Sequence, residues 1–437
     1  MRKKFGLALV AVGLSLTLLL TGAIPVCEAG PDVKVVKIGH HVALTGALAS
    51  TYVYPTYGAN DYARWINGEI DIDEALVPKD ILAIKKFFEK EAIKLKVVWE
   101  DTRGEIPRAI IAHRRFKESG VVGEINVTAT ISETLAPAYI REELPAISSC
   151  NMSQPMITYP IRWIFTLIRG AGPEVASFIK WARDNWTEER PLRIGVIYWD
   201  YPSGLETRDG AREWAPKLGV EYVGDECVPM MGTLDTSTEW LRLVGKKPDW
   251  VYVTVTGSSL VTVCKDAYRL EIQEKGIRLS SYAAGIDEII LKPIGKKAAE
   301  GIYQMRPHPT CVETDVLGVR FSFELAKKCR GIKPEDVAGH YRAGMLYITV
   351  FSEAIRLAIE KVSYENLTGR AVRDAMVTIR DFDTGLFPTT TTITEESPYL
   401  VPGGAEMLYQ VREGKIWPVS REFLEPVYDY PELTKGR

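Results

Sequence analysis

Apolar and polar positions along this chain alternate between two rhythms. Short, β-branched runs of near-continuous apolar character are followed by longer stretches of helical period. The first series predicts strands over 33–39, 95–101, 120–127 and 144–148. Helices are predicted over 58–65, 107–119 and 132–142. Ala109, Ile110, Ala112, His113 and Phe116 share one side of the second of these helices. Pro107 suits its first turn, where a missing N–H costs nothing. A second series predicts strands over 192–199, 220–227, 250–255 and 278–284, with helices over 172–185, 204–218, 236–245 and 259–275. Strands alternating with helices of this length imply βαβ units and parallel sheets, and two successive series imply two similar α/β lobes. Strands with no polar face fit sheets covered on both sides. The last third differs. It predicts long helices over 315–330 and 337–359, then β-prone runs at 389–393 and 407–411, and a surface tail over 415–437. An insertion over 70–94 predicts one extra helix around 78–91.

The N-terminus breaks this pattern. A basic start (residues 1–4), an uncharged apolar run (5–20) and a helix-breaking, small-residue stretch (21–30) have the form of a secretory signal peptide. The apolar run falls short of the ~20 residues that a membrane span needs. Cleavage after Ala29 is the first choice and after Ala23 the second. A lipid anchor at Cys27 and an uncleaved anchor helix stay open as alternatives. An exported protein is expected, in a periplasmic or other extracytoplasmic setting. Formal net charge is −3, and losing Arg2, Lys3, Lys4 and Glu28 with the leader takes it to −5. Such a chain lacks the basic footprint of a nucleic-acid binder and the polybasic patch of a lipid-surface binder. Cys150, Cys227, Cys264, Cys311 and Cys329 remain after Cys27 leaves, too few for a disulfide scaffold. Cys311 and Cys329 are the nearest in sequence and are expected as a pair if one forms.

The order of segments resembles a family, the leucine/isoleucine/valine-binding type of periplasmic solute-binding protein that feeds ABC importers. The likeness spans residue 33 to about 416. It is carried by residues 37–46, ending in Thr45-Gly46, by Gly58-Ala59-Asn60 and Ile66-Asn67, and by Glu100-Asp101-Thr102. Residues 132–137 and 145–153, Ala298-Ala299-Glu300-Gly301 and His340-Tyr341 complete it. The resemblance implies an α/β protein of two Rossmann-like lobes with parallel sheets, joined by a three-segment hinge. Crossovers are expected near Thr166, His308 and Leu386. That assigns 30–166 and 308–385 to lobe 1, and 167–307 and 386–437 to lobe 2. A small-molecule ligand would sit between the lobes at the carboxyl ends of the strands, where open α/β sheets bind their ligands. The resemblance also implies an ABC permease in the inner membrane as partner, a monomer, and neither enzymatic activity nor a cofactor.

Site residues follow from the same resemblance. Ser132 is read as a helix N-cap whose hydroxyl serves either the backbone or a ligand carboxylate, and the resemblance makes it a ligand contact. Asn151 and Ser153 follow the next strand, where the family holds the ligand's main-chain groups. Thr45 ends the first strand, and Tyr52 stands where the family has an aromatic wall. On lobe 2, Tyr198, Asp200 and Tyr201 follow a buried strand. Ala284 falls where amino-acid-binding members carry a carboxylate, and Asp287 is placed to take over that role or to cap the next helix. Tyr341 matches a cleft tyrosine. His308 and Cys311 are metal-capable but lack partners, so no metal site is expected. Nucleophile-elbow, zincin and phosphate-loop motifs are absent from the sequence, which argues against a hydrolase. Two readings stay open. One is an importer's receptor for a small carboxylate-bearing ligand, either an amino acid or an aromatic or branched acid. The other is a periplasmic ligand-sensing module for amides or acids that signals to a membrane receptor.

Overall fold

The computed structural model describes residues 33–46, 48–149, 162–229 and 232–428, together with Met156. The leader, Cys150, Asn151 and Ser153 lie outside these described residues. The first β-branched run forms β1 (Lys34–Val42). It pairs in parallel with β2 (Ile93–Asp101) on one side and β3 (Glu124–Asn126) on the other. Then β4 (Ala146–Ser148) and β5 (Ile164–Thr166) extend a five-stranded sheet of order β2-β1-β3-β4-β5. The second sheet has seven strands. Parallel β6 (Arg193–Trp199), β7 (Glu221–Val228), β8 (Trp250–Thr254), β9 (Arg278–Ser281) and β10 (Tyr303–Arg306) are joined by antiparallel β11 (Met407–Arg412) and β12 (Lys415–Pro418). The tail therefore opens with a paired strand rather than running wholly as surface coil, because Gly414 turns the chain back at positive φ.

Helices cover both faces of each sheet. On the first, α1 (Ala49–Ile66) and α2 (Lys79–Lys90) lie on one face, and α3 (Ile106–Ser119) and α4 (Ala129–Glu142) on the other. On the second, α5 (Ala171–Asp184) and α6 (Pro202–Lys217) oppose α7 (Ser237–Gly245) and α8 (Gly257–Arg269). The inserted helix α2 buries Ile81, Ile84 and Phe88 under the first sheet. Later in the chain, α11 (Leu317–Arg330) and α12 (Gly339–Val362) return to that same core, after short helical turns α9 (Leu291–Ile294) and α10 (Lys296–Ala299) in the second lobe.

Helix α1 starts at Ala49, well before the expected Gly58, and runs through Pro55. Its packing explains the early start. A Cβ on Gly58 would lie 2.0 Å from the Tyr341 carbonyl oxygen, and one on Gly344 would lie 2.0 Å from that of Pro55. Only paired glycines allow α1 and α12 to approach so closely, and that contact carries the first turns of α1 up to the strand ends.

The chain passes between the sheets three times. It leaves β5 at Thr166 for α5, and it leaves β10 at Arg306 for α11. The third passage comes after Val401 rather than near Leu386. Leu386, Ile393, Leu400 and Val401 are all buried in the first sheet's core, and the Thr166 backbone bonds to Pro398 and Leu400. The β-prone run at 389–393 forms only an isolated bridge, Phe382 to Thr391. We therefore propose lobe boundaries of 34–166 with 308–401, and 167–307 with 402–428. The expected Cys311–Cys329 pair is not formed, and both thiols are free. Cys311 stands on the second passage beside Glu288, whereas Cys329 lies in α11 near Asp61.

Beneath β1, Glu124 accepts hydrogen bonds from Tyr139 and pairs with His41 and His113, all of them buried. Burial works against charging His113, yet Glu124 and Glu142 raise its pKa. The stability it contributes is thus complete below the unfolded value of about 6.5 and is lost as pH rises through the folded value. His40 runs the other way. Burial first, and the neighbouring His41 second, push it down to about 3. Below pH 6.5 the unfolded chain takes up a proton that folded His40 refuses, so stability falls as pH falls, by up to about 1.4 kcal/mol per pH unit. His308, likewise pushed down by burial, adds to the same trend. In urea titrations at pH 6.5 and 5.0, His40→Gln should lose about 1–2 kcal/mol less between the two conditions than the unsubstituted protein. Equal losses would contradict this assignment.

Candidate functional site

The carboxyl ends of β4 and β9 and two of the crossovers converge on one cavity of about 30 Å³. Tyr52 of α1, Ser149 after β4, and His340, Ala343 and Tyr347 of α12 wall it from the first lobe. Ala283 and Ala284 after β9 wall it from the second, and Leu167, Ile168, Pro307 and His308 from the passages between them. The space within these described walls holds about two waters. The hydroxyls of Thr130 in α4 and Tyr201 at the start of α6 lie 3.2 Å apart, so the two lobes also touch there.

The loop after β9 is held from below. Gln304 Nε2 donates to the Tyr282 and Met305 carbonyls, and its Oε1 accepts from Ile286 N. Glu174 of α5 accepts from Ala283 N and from the Tyr252 hydroxyl, both at 2.7 Å. Burial pushes the nearby Glu206 up to about 8 despite the Gly172 and Ala171 N–H groups. It also raises Glu406, which lies beside Glu174. Of these acids Glu174 touches the second lobe's wall directly, at Ala283.

Asp287 and Glu288 then tie that loop to α12. Asp287 accepts from Ile289 N (3.0 Å) and Ile290 N (2.8 Å) and pairs with His340 Nδ1 at 2.8 Å. Burial alone would raise its carboxyl, but the His340 bond and charge hold it below the ordinary value. Glu288 accepts from Gly339 N at 3.0 Å and Cys311 N at 3.1 Å, and pairs with Arg342 at 3.1 Å and Arg306 at 3.4 Å. Here too burial is outweighed, by the two guanidinium charges, and the carboxyl stays low. Gly339 is required: a Cβ there would lie 2.3 Å from His308 Cε1 and 2.4 Å from Arg306 Nη2.

Of the residues expected from sequence, Tyr52 lines the cavity, edge-on to His340 with ring centroids 6.2 Å apart. Tyr201 is not among the cavity's walls, and its hydroxyl meets Thr130 of the first lobe. Asn151 and Ser153 fall outside the described residues. Thr45 lies in an exposed turn, where its hydroxyl donates to Asp101 at 2.6 Å. Tyr198 is buried in the second lobe's core against Arg208. Ser132 does not cap its helix. Thr128 does, accepting from Ile131 N, while Ser132 sits a turn later, fully buried, accepting from Asn126 Nδ2. Tyr341 faces away from the cavity. Its hydroxyl donates to Asp61, which Arg330 also holds, inside the first lobe. Asp287 both caps and pairs, leaving it committed to the protein.

The residues that sequence reasoning missed include His340, Ala343 and Tyr347. Their spacing of i, i+3 and i+7 marks one helix face, and Tyr341 lies off that face, bonded to Asp61. That stripe was the available signal. Tyr341→Phe should therefore cost roughly 1–3 kcal/mol of stability, the value of a buried bond to a charged acceptor, and leave ligand affinity unchanged. An affinity loss of tenfold or more with unaltered stability would return Tyr341 to the cleft.

Among the described residues no group of three or more metal-capable side chains converges, and no helix is long and apolar enough to cross a membrane. A profile of the periplasmic binding protein family matches residues 35–399. The fold is similar to a branched-chain amino acid ABC transporter protein from Thermus thermophilus with bound valine. The two share 19% identity, covering 92% of this chain and 97% of that one, with a TM-score of 0.72. It is also similar to an ABC transporter substrate-binding protein from Aeropyrum pernix, at 17% identity, 92% and 100% coverage, and a TM-score of 0.74. A third is a solute-binding protein from R. palustris in complex with 4-hydroxybenzoate, at 14% identity, 91% and 99% coverage, and a TM-score of 0.70. No curated protein matches the chain in sequence.

Proposed function

The chain belongs to the periplasmic binding protein family, and on that premise we propose that it is the extracytoplasmic solute receptor of an ABC importer. In this reading it closes two lobes on a small carboxylate-bearing ligand and delivers it to a permease in the inner membrane. The family is made of solute-binding proteins rather than enzymes. What supports a ligand between the lobes is the cavity, whose walls come from both of them and from two passages. Hinged lobes of this kind close around ligands by rotation, and Tyr201 and Thr130 already meet between the lobes.

The ligand class rests on Asp287. Its carboxylate is spent on two backbone N–H groups and on His340, and Ala284 supplies no charge beside it. The described walls thus offer no uncommitted carboxylate for an ammonium group. They offer Tyr52, Tyr347, Leu167 and Ile168 as apolar surface and His340 as a polar group oriented from behind by Asp287. That balance favours an aromatic or branched acid without an amine over a free amino acid. The valine and 4-hydroxybenzoate bound by two structural neighbours span these alternatives.

A thermal-shift screen of residues 30–437 against amino acids, aromatic acids, aliphatic carboxylates and amides tests the proposal. At a hundred times its dissociation constant, a ligand adds about 2.7 kcal/mol to stability. Hits should fall among acids lacking an amine and should vanish in Ala284→Trp, which fills the cavity. Hits confined to zwitterions would overturn the ligand class while keeping the receptor. No hit across the panel would count against the receptor reading itself.

A further inference from the structure

A second cavity, of about 640 Å³, adjoins the other end of the second passage. The same stretch of chain serves both spaces: Pro307 and His308 wall the smaller one, Cys311 and Val312 the larger. We propose that the larger cavity is a second small-molecule site, which takes an organic anion with an apolar body and bridges the two lobes.

Its size is that of a small-molecule site, about 300–1,000 Å³. Its apolar walls come from both lobes, beneath a charged rim. Phe323 of α11 belongs to the first, while Leu291, Ile416 and Trp417 belong to the second. Trp417 is 37% exposed, a large indole left partly open at the rim.

Charge at the mouth selects the sign of the occupant. Lys292 is tied to Asp336 at 2.7 Å, and Glu288 is answered by Arg306 and Arg342. Lys296 and Lys415 are exposed, and neither has an ion pair among the described residues. Against them stands only the exposed Glu335, so the rim carries an excess positive charge. An amphipathic carboxylate places its head at these ammonium groups and its body over Phe323 and Trp417. Because it touches both lobes, it favours the lobe arrangement that keeps those two walls together, and Glu288 links that wall to Gly339 beside His340.

The test is calorimetric titration of the Ala284→Trp protein with decanoate below its micelle concentration, so that the first cavity is blocked. Saturable binding is expected. It should weaken at least tenfold when Lys296→Glu and Lys415→Glu are combined, and disappear in Val312→Trp, which fills the second cavity. Decylamine, with the same chain and opposite charge, should bind at least tenfold more weakly. The substituted lysines are exposed, so folding is not at stake. Absence of saturable binding, equal binding of the amine, or insensitivity to the lysine and Val312 substitutions would each overturn the proposal. Failure here leaves the receptor reading standing, since that reading depends on the first cavity.

Discussion

A buried carboxylate must have its charge met, and in this fold that requirement falls on Glu288. Two guanidinium groups and two backbone N–H groups surround it, supplied by β10, the second passage and the first turns of α12. Those segments belong to both lobes and to the chain between them. Removing one partner of such a network costs about 3–5 kcal/mol, because the remaining charges are stranded. The network's distinctive effect is positional. It fixes the start of α12 against the loop after β9, and so it sets where His340, Ala343 and Tyr347 stand relative to Ala283 and Ala284.

The glycine pairs act with it. Gly58 and Gly344 let α1 and α12 meet at backbone contact, which carries Tyr52 to the cavity edge. Gly339 lets His308 and Arg306 crowd the helix start. The two lobes also touch at Thr130 and Tyr201, and any rotation of one lobe on the other would have to bend the three passages that join them.

The sheets are legible in the sequence because short β-branched, uncharged runs such as 250–254, each followed by a helical stretch, have the pattern of interior parallel strands. The insertion's helix was legible from the apolar spacing of Ile81, Ile84 and Phe88. The site was less so, for physical reasons. A Ser, Thr or Asp near a helix start can serve the backbone or a ligand, and one-dimensional pattern does not separate Ser132 from Thr128, or a capping Asp287 from a free one. Adjacent residues on a helix lie about 100° apart around its axis, so the His340-Tyr341 motif by itself does not say which of the two meets the cavity; His340 does, and Tyr341 turns to Asp61 in the core. The third passage is hard to locate from sequence because 386–401 carries no strong periodicity, yet its scattered Leu386, Ile393, Leu400 and Val401 bury deeply in the first lobe.

The most direct check on the central claim is amide hydrogen exchange at Gly339 and Cys311, the two N–H groups that Glu288 accepts. In the unsubstituted protein both should be protected like the middle of α12. In Glu288→Gln they should exchange faster together, while the strands of both sheets keep their protection. If both amides kept their protection in the variant, or if every amide lost it equally, Glu288 would not be the local tie between the lobes.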